Sequence, residues 1–166
     1  MERFFKTRFV LIICLTFGLG FAFSSVVQAQ GDQGCGPGFW KQDQHLDFWV
    51  GERVTPDALF SDLFGVGIDV TFKEKGTKGK PSLVNDPTLI QALQAKGGKV
   101  NALARQAVAA LLNAENPDVD YAIPPGDVVT LLQAAFASAD PSAIENLKDY
   151  FESFNELVCP LDEDEL

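Results

Sequence analysis

Apolar residues recur at intervals of three and one over residues 99–113, the strongest periodicity in the chain. The set is Val100, Leu103, Ala104, Ala107, Val108, Leu111 and Leu112. An α-helix turns once in about 3.6 residues, so this spacing places all of them on one face. The small alanines on that face let neighbouring helices approach closely. We therefore predict a central core helix from Lys99 to Asn113.

Three further helices are predicted from signals at their starts. Thr55-Pro56-Asp57, Asp86-Pro87 and Asp140-Pro141 each combine a capping side chain with a proline at the first helical position. Apolar residues follow each start at helical spacing, and the three sets are Leu59, Phe60, Leu63 and Phe64; Leu89, Ile90 and Leu93; and Ile144, Leu147, Phe151, Phe154 and Val158. Two more sets of this kind are Leu46, Trp49 and Val50, and Val128, Leu131, Leu132, Ala135 and Phe136.

Residues 65–81 are the least helical part of the chain. Val66, Ile68, Val70 and Phe72 alternate with other residues, which favours a small strand or hairpin near residues 66–73. The whole pattern predicts a mainly α fold: one compact bundle of five or six short helices, with that small strand or hairpin, closed by one disulfide.

The first 29 residues have the order of a secretory signal peptide. A positive start precedes an apolar run at residues 9–23, and Val27-Gln28-Ala29 is a small-residue cleavage site. We expect cleavage after Ala29, which leaves a single domain (residues 30–160) and an acidic tail (161–166) in a secreted or periplasmic protein. The rival interpretation is an uncleaved anchor, but about 15 apolar residues fall short of the roughly 20 that a membrane helix needs.

The exported domain is strongly acidic. The full chain has a net charge of −10, and removal of residues 1–29, which carry a net +2, brings it to −12. Nucleic acids and anionic membranes require a basic face, so neither is an expected partner. The negative charge favours solubility outside the cell, and the alternative is binding of cations or basic surfaces.

Two cysteines remain after cleavage, Cys35 and Cys159. In an oxidising compartment one pair predicts one disulfide, which joins the start of the domain to its end. His45 is the only histidine, so these residues do not form a usual metal site, and we expect neither a metal nor another cofactor.

An aromatic stretch follows Cys35 and a Gly-Pro-Gly turn at residues 36–38. Trp40, His45, Phe48 and Trp49 are the candidate binding residues, since exposed rings stack on sugars or other rings. The alternative interpretation is a core plug beside the disulfide, because large aromatic side chains dominate core burial. We favour the plug, with Trp40 held against the last helix and Trp49 nearer the surface.

Two loops carry charge that could contact a ligand. The segment from Lys73 to Lys80 is rich in lysine and glycine, yet its glycines follow no phosphate-loop spacing, so a solvated loop is favoured over polyanion binding. Asp118 and Asp120 could share a cation, but they lack the remainder of an EF-hand pattern, so a solvated turn is favoured there as well.

Two classes of function remain open. No nucleophile elbow, zinc motif or dinucleotide fingerprint is present in the sequence, and no catalytic residue is assigned. A non-catalytic binding or structural module at the cell surface or matrix is favoured, with a glycan or a cell-surface protein as partner. The alternative is a small secreted hydrolase that uses His45, beside Asp43 or Asp47, or a carboxylate pair.

The segment GCGPGFWKQDQHLDFW resembles the opening of a group of uncharacterised bacterial secreted proteins. Their motif reads Cys-Thr-Pro-Gly-Phe/Tyr-Trp-Lys, often followed by Gln-His-Phe-Asp-x-Trp. The matching positions are Cys35, Pro37, Gly38, Phe39, Trp40, Lys41, Gln44, His45, Asp47 and Trp49, and the closing Cys159-Pro160-Leu161 is also similar. Gly36 and Leu46 depart from the motif. The resemblance implies an exported protein of the same fold and assigns no activity.

Overall fold

The computed structural model describes residues 31–73, 76 and 78–162, and the fold in that part of the chain is mainly α, as predicted. The helices are α1 (Pro37–Trp40), a 3-10 helix (Asp43–Phe48), α2 (Phe60–Phe64), α3 (Leu89–Leu93), α4 (Val100–Glu115), α5 (Pro125–Ala137) and α6 (Ala143–Asn155). The described residues thus hold seven helices instead of five or six, because the aromatic stretch folds into two short ones. The predicted signal peptide and most of the predicted acidic tail lie outside the described residues.

Helix α4 is the centre of the molecule. Its prediction as Lys99 to Asn113 is close to the observed Val100–Glu115. It contacts α1, α3, α5, α6 and the sheet. Its fully or almost fully buried apolar residues are Leu103, Ala104, Ala107, Val108, Ala109, Ala110, Leu111 and Leu112. Alanines on several sides of the helix let neighbours approach from more than one direction, so α4 is buried around most of its circumference.

The predicted starts of α2 and α3 are wrong. Thr55 does not begin a helix, and α2 starts later, at Phe60. Phe60 N donates to Pro87 O (2.9 Å) and Leu89 N donates to Ala58 O (2.9 Å). This short backbone pairing holds both segments extended just before their helices, so neither can start helical at its proline.

Asp86 caps a different helix from the predicted one. Its carboxylate accepts hydrogen bonds from Ser61 N (3.0 Å) and Ser61 Oγ (2.7 Å), in the first turn of α2. Helix α3 is capped instead by Thr88 in a capping box with Gln91. The predicted start at Asp140 is nearly right, since Asp140 accepts from Ser142 N (2.9 Å) and α6 begins one residue after Ser142.

The strand predicted near residues 66–73 is β1 (Asp69–Phe72), which pairs antiparallel with β2 (Ser82–Asn85). Val70 is fully buried against the helices. Lys96 N donates to Thr71 O (2.7 Å), and Thr71 N donates to Asn101 Oδ1 (2.7 Å). These two bonds fix the edge of β1 to the turn that connects α3 and α4 and to the first turn of α4.

The predicted disulfide is present. Cys35 and Cys159 are bonded across 124 residues of sequence, with their Cα atoms 4.6 Å apart. Both cysteines are buried, so the two ends of the domain meet inside the core. Every helix in the described part of the chain is too short or too polar to cross a lipid bilayer.

Candidate functional site

The aromatic stretch begins with a tryptophan that is fully buried. Pro37 opens α1, and the helix ends at Trp40, which has no exposed surface. Trp40 Nε1 donates to Cys35 O (3.0 Å) and to Asn113 Oδ1 (3.1 Å). The ring and its polar edge are both engaged by the fold, so Trp40 presents no face to a ligand and does not belong to the candidate binding surface.

A buried network of amides, which was not predicted from the sequence, surrounds this tryptophan. Asn113 Oδ1 accepts from Cys35 N (2.9 Å), and Asn113 Nδ2 donates to Cys35 O (2.9 Å) and to Asn155 Oδ1 (3.0 Å). Asn155 Nδ2 donates to Gln106 O (2.9 Å) and Oε1 (2.8 Å). Buried amides are costly unless they are bonded, and no buried side-chain N or O atom of the described residues lacks a partner. The sequence does contain one signal of this network. Asn155 lies four positions after the core residue Phe151, which places it on the same face of the helix.

The histidine is held by its neighbours in the motif. Its ring stacks on Phe39, with centroids 3.9 Å apart and planes 23° apart, and Nδ1 lies 3.0 Å from Phe39 O. Phe48 lies beside this pair, 5.8 Å from Phe39 between centroids. The ring and the backbone carbonyl of Phe39 therefore fix the orientation of His45, and these contacts serve the fold.

Trp49 is half-buried, and its indole N–H is hydrogen-bonded to the backbone of the protein. Its Nε1 donates to Trp40 O (3.2 Å), which ties the end of the 3-10 helix to the end of α1. Phe48 and His45 are likewise half-buried. Of the four candidate aromatic positions, these three lie at the surface only in part, and they follow directly on the segment Lys41–Gln44.

Two clefts are candidate sites. The segment Lys41–Gln44 forms one wall of the larger of these two clefts, which has a volume of about 710 Å³. A second wall is formed by the end of α3 and the chain that follows it, from Leu93 to Gly97, and Lys73 and Gly76 also line the cleft. Leu93 and Ala95 are buried, whereas Lys41, Gln42 and Gln44 are exposed. The cleft thus has buried apolar residues on its lining together with exposed polar ones.

Arg105 of α4 fixes the second wall. Its Nη1 donates to Ala95 O (2.8 Å), Gly97 O (3.0 Å) and Asn101 O (3.3 Å). Burial lowers the pKa of Arg105, and the charge of Glu152 acts in the opposite direction. A guanidinium has five N–H donors, so the bonds that hold this turn do not require the donors on Nη2 and Nε.

The smaller cleft, of about 480 Å³, lies on another face of α4. Its lining includes Glu52, Arg53 and Glu115 around an apolar floor formed by Leu111 and Val129. Arg53 Nη2 donates to Asp62 O (3.0 Å), which anchors the rim to α2. Two carboxylates therefore lie on the lining of one cleft.

Among the remaining sequence candidates, Asp43, Lys73 and Gly76 line the larger cleft, whereas Asp47, Asp118 and Asp120 are on the lining of neither cleft. Asp118 N donates to Asn116 Oδ1 (2.9 Å) and Asp120 N donates to Gln33 Oε1 (2.8 Å), so both aspartates belong to a bonded surface turn. Across residues 31–73, 76 and 78–162, no group of three or more His, Cys, Asp and Glu could hold a metal ion. From the segment Lys73 to Lys80, Lys73 lines the larger cleft, and residues 74, 75 and 77 lie outside the described residues.

No protein-family model, curated protein or solved structure matches the chain. The resemblance of residues 34–49 to the bacterial secreted group therefore stays a prediction.

Proposed function

We propose that the chain is a secreted, non-catalytic binding module whose ligand occupies the larger cleft. The observation that carries this proposal is the cleft itself: about 710 Å³ of space between Lys41–Gln44 and the turn after α3. Small-molecule sites in proteins commonly have volumes of roughly 300–1,000 Å³. Both walls are held by hydrogen bonds of the fold, so the site is formed before a ligand arrives and little ordering free energy opposes binding.

The chemistry of the rim favours binding over catalysis. Gln42 Nε2 donates to Gly38 O (3.2 Å), and Gln44 Nε2 donates to Gln42 Oε1 (2.6 Å). Gln94 lies on the second wall of the larger cleft. Amide side chains both donate and accept, which suits the hydroxyl groups of a carbohydrate. Asp43 is the one carboxylate on the lining formed by the described residues, whereas glycoside hydrolysis ordinarily uses two.

Export is part of the proposal. The signal-peptide pattern of residues 1–29 and the disulfide between Cys35 and Cys159 both support a location outside the cytoplasm, because disulfides persist in oxidising compartments. Lys41 and Gln44, two positions of the predicted resemblance to the bacterial secreted group, line the cleft. A compact helical bundle would then act as the rigid scaffold, and a cell-surface or matrix glycan is the expected partner.

The test is a screen of the exported protein for saccharide binding, followed by localisation. Residues on both walls, including Gln44 and Gln94, should show NMR shift changes when a saccharide binds, while residues of α5 should not. Gln94→Ala should weaken binding, and Asn146→Ala, an exposed amide on α6, should leave the Kd unchanged. Shifts confined to residues outside the larger cleft would overturn the proposal.

A secreted hydrolase is the second candidate, and the smaller cleft supports it. Glu52 and Glu115 both line that cleft, and a pair of carboxylates is the usual machinery of glycoside hydrolysis. Under the hydrolase hypothesis, the exported protein releases reducing sugar from polysaccharides. Glu52→Gln and Glu115→Gln should each abolish this release. Turnover that survives both substitutions would exclude this pair.

A further inference from the structure

We infer that the ligand of the larger cleft is an acidic saccharide, recognised by positive charge on a protein that is otherwise strongly negative. This inference rests on the proposed function, since it names the ligand class of the same site. It comes from the distribution of charge around the cleft and from the side chains that accompany it.

Positive charge is concentrated at the cleft. Residues 30–166 carry ten lysines and arginines against 22 aspartates and glutamates. Four of the ten cations line the cleft, namely Lys41, Lys73, Lys96 and Arg105, whereas Asp43 is the one acid on its described lining. The surface is therefore reversed in sign here relative to the whole domain. A low-dielectric cleft lined by one sign of charge focuses the field and attracts ligands of the opposite sign.

The four cations come from four parts of the chain. Lys41 follows α1, Lys73 follows β1, Lys96 lies between α3 and α4, and Arg105 is on α4. Lys96 is placed by its own backbone, since Lys96 N donates to Thr71 O (2.7 Å). Arg105 is placed by three carbonyl oxygens that all bind Nη1. These anchors bring four cations to one cavity, where Asp43 and the charge of Glu152 near Arg105 offset only part of their mutual repulsion.

The neutral lining distinguishes a saccharide from a simple anion. Gln42, Gln44 and Gln94 provide amide donors and acceptors around the same space. A uronic acid offers both a carboxylate for the cations and several hydroxyls for the amides. Inorganic phosphate would use only the charges and would occupy a small fraction of about 710 Å³. The combination therefore fits a short oligosaccharide that carries carboxylates.

The experiment compares three probes on the exported full chain by calorimetry. They are a uronic-acid trisaccharide, a neutral trisaccharide of the same linkage, and inorganic phosphate. We expect the uronic-acid trisaccharide to bind at least tenfold more tightly than either of the others. We expect its Kd to rise several-fold between 50 and 300 mM NaCl, because added salt shortens the Debye length, which is about 10 Å at 0.1 M, and so weakens attraction between exposed charges.

Two exposed lysines provide the matched variants. The double variant Lys41→Gln/Lys96→Gln should raise the Kd for the uronic-acid trisaccharide about tenfold, since each exposed charge contact is worth up to roughly 1 kcal/mol. Lys99→Gln makes the same chemical change three residues from Lys96 at a position outside the cleft lining, and its Kd should stay within about twofold of the parent. Unchanged circular dichroism shows that the variants are folded.

The outcomes separate this inference from the function it rests on. If the neutral trisaccharide binds as tightly as the uronic-acid trisaccharide, and the double variant does not change either Kd, the charge inference is overturned. A saccharide-binding cleft would then remain. Equal binding of inorganic phosphate would overturn the assignment to a saccharide. Failure of all three probes to shift any NMR signal of the cleft lining would overturn the inference and count against the proposed function, which the wider saccharide screen then decides.

Discussion

Asn113 Nδ2 donates a hydrogen bond to Asn155 Oδ1 across 3.0 Å, and the two residues are 42 positions apart. Both side chains are fully buried, one on α4 and the other on the last turn of α6. Through Cys35 the same amide reaches the disulfide, so one polar side chain joins the N-terminal stretch, the central helix and the C-terminal helix. A buried amide with four bonds rigidifies the core around it because each unmade bond would be costly.

Asn113→Ala should lower the free energy of unfolding by about 2–5 kcal/mol. The substitution leaves the N–H groups of Cys35 and Trp40 without the Asn113 acceptor, and an unsatisfied buried donor costs about 1–3 kcal/mol. Urea unfolding measures the loss. Asn146→Ala, on the exposed face of α6, is the control and should change stability by less than about 0.5 kcal/mol. Similar values for the two variants would show that the network is not stabilising.

Trp40→Ala should cost about 3–5 kcal/mol, as expected for a fully buried tryptophan. Its effect should also couple to the disulfide, since Trp40 Nε1 donates to Cys35 O. A double-mutant cycle with Cys35→Ser/Cys159→Ser measures the coupling, and we expect the two losses to be less than additive. Strict additivity would mean that the ring is positioned without help from the disulfide.

Leu111→Ala should lower stability by about 2–5 kcal/mol. The residue is 3% exposed on the inward face of α4, and truncation leaves a cavity in the core. Leu83→Ala is the matched control, because that leucine on β2 is 65% exposed and should contribute less than about 0.5 kcal/mol. Thermal or urea unfolding compares the two, and a small effect at Leu111 would contradict its place in the core.

Asp86→Ala should destabilise the domain by about 1 kcal/mol through loss of the cap on α2. Asp86 adopts a positive φ of 44°, a conformation that asparagine also tolerates. Asp86→Asn keeps one side-chain oxygen as acceptor and should therefore cost less than Asp86→Ala. The two unfolding midpoints decide the point: if Asn is as damaging as Ala, the cap depends on charge as well as on the hydrogen bonds.

Stability should fall at alkaline pH because of Tyr121. Its hydroxyl donates to Asn155 Oδ1 (2.8 Å), and burial, aided by the charge of Tyr150, raises the pKa of Tyr121. The folded state thus favours the protonated phenol, so this contribution is complete below the unfolded pKa of about 10 and is lost as pH rises above it. Tyr121→Phe should flatten the decline of unfolding free energy above pH 10, measured in urea at fixed ionic strength. An equally steep decline in the variant would assign the effect to other groups.

Patterns contained within a few turns of chain predicted much of this fold. The stripe on α4 needs only its own periodicity, and α4 was predicted to within two residues at each end. The pairing of Cys35 with Cys159 follows from counting the cysteines that remain after the predicted cleavage at Ala29. The strand at Asp69–Phe72 follows from alternation. The helix and the strand depend on local geometry, and the disulfide depends on the lack of a further cysteine in residues 30–166.

Tertiary structure decided the noncovalent contacts that join distant residues. Asp86 and Ser61 are 25 positions apart, so a local capping rule placed the aspartate on the wrong helix. Asn113 and Asn155 read as ordinary polar residues until α4 and α6 bury them against each other. The sequence predicts a solvated loop at Lys73 and assigns no role to Lys96 or Arg105. Only the packing of separate chain segments brings these cations and Lys41 to one cleft. Local propensity is set within a turn, whereas a hydrogen-bond partner or a shared cavity is set by how whole helices pack, which no short stretch of sequence specifies.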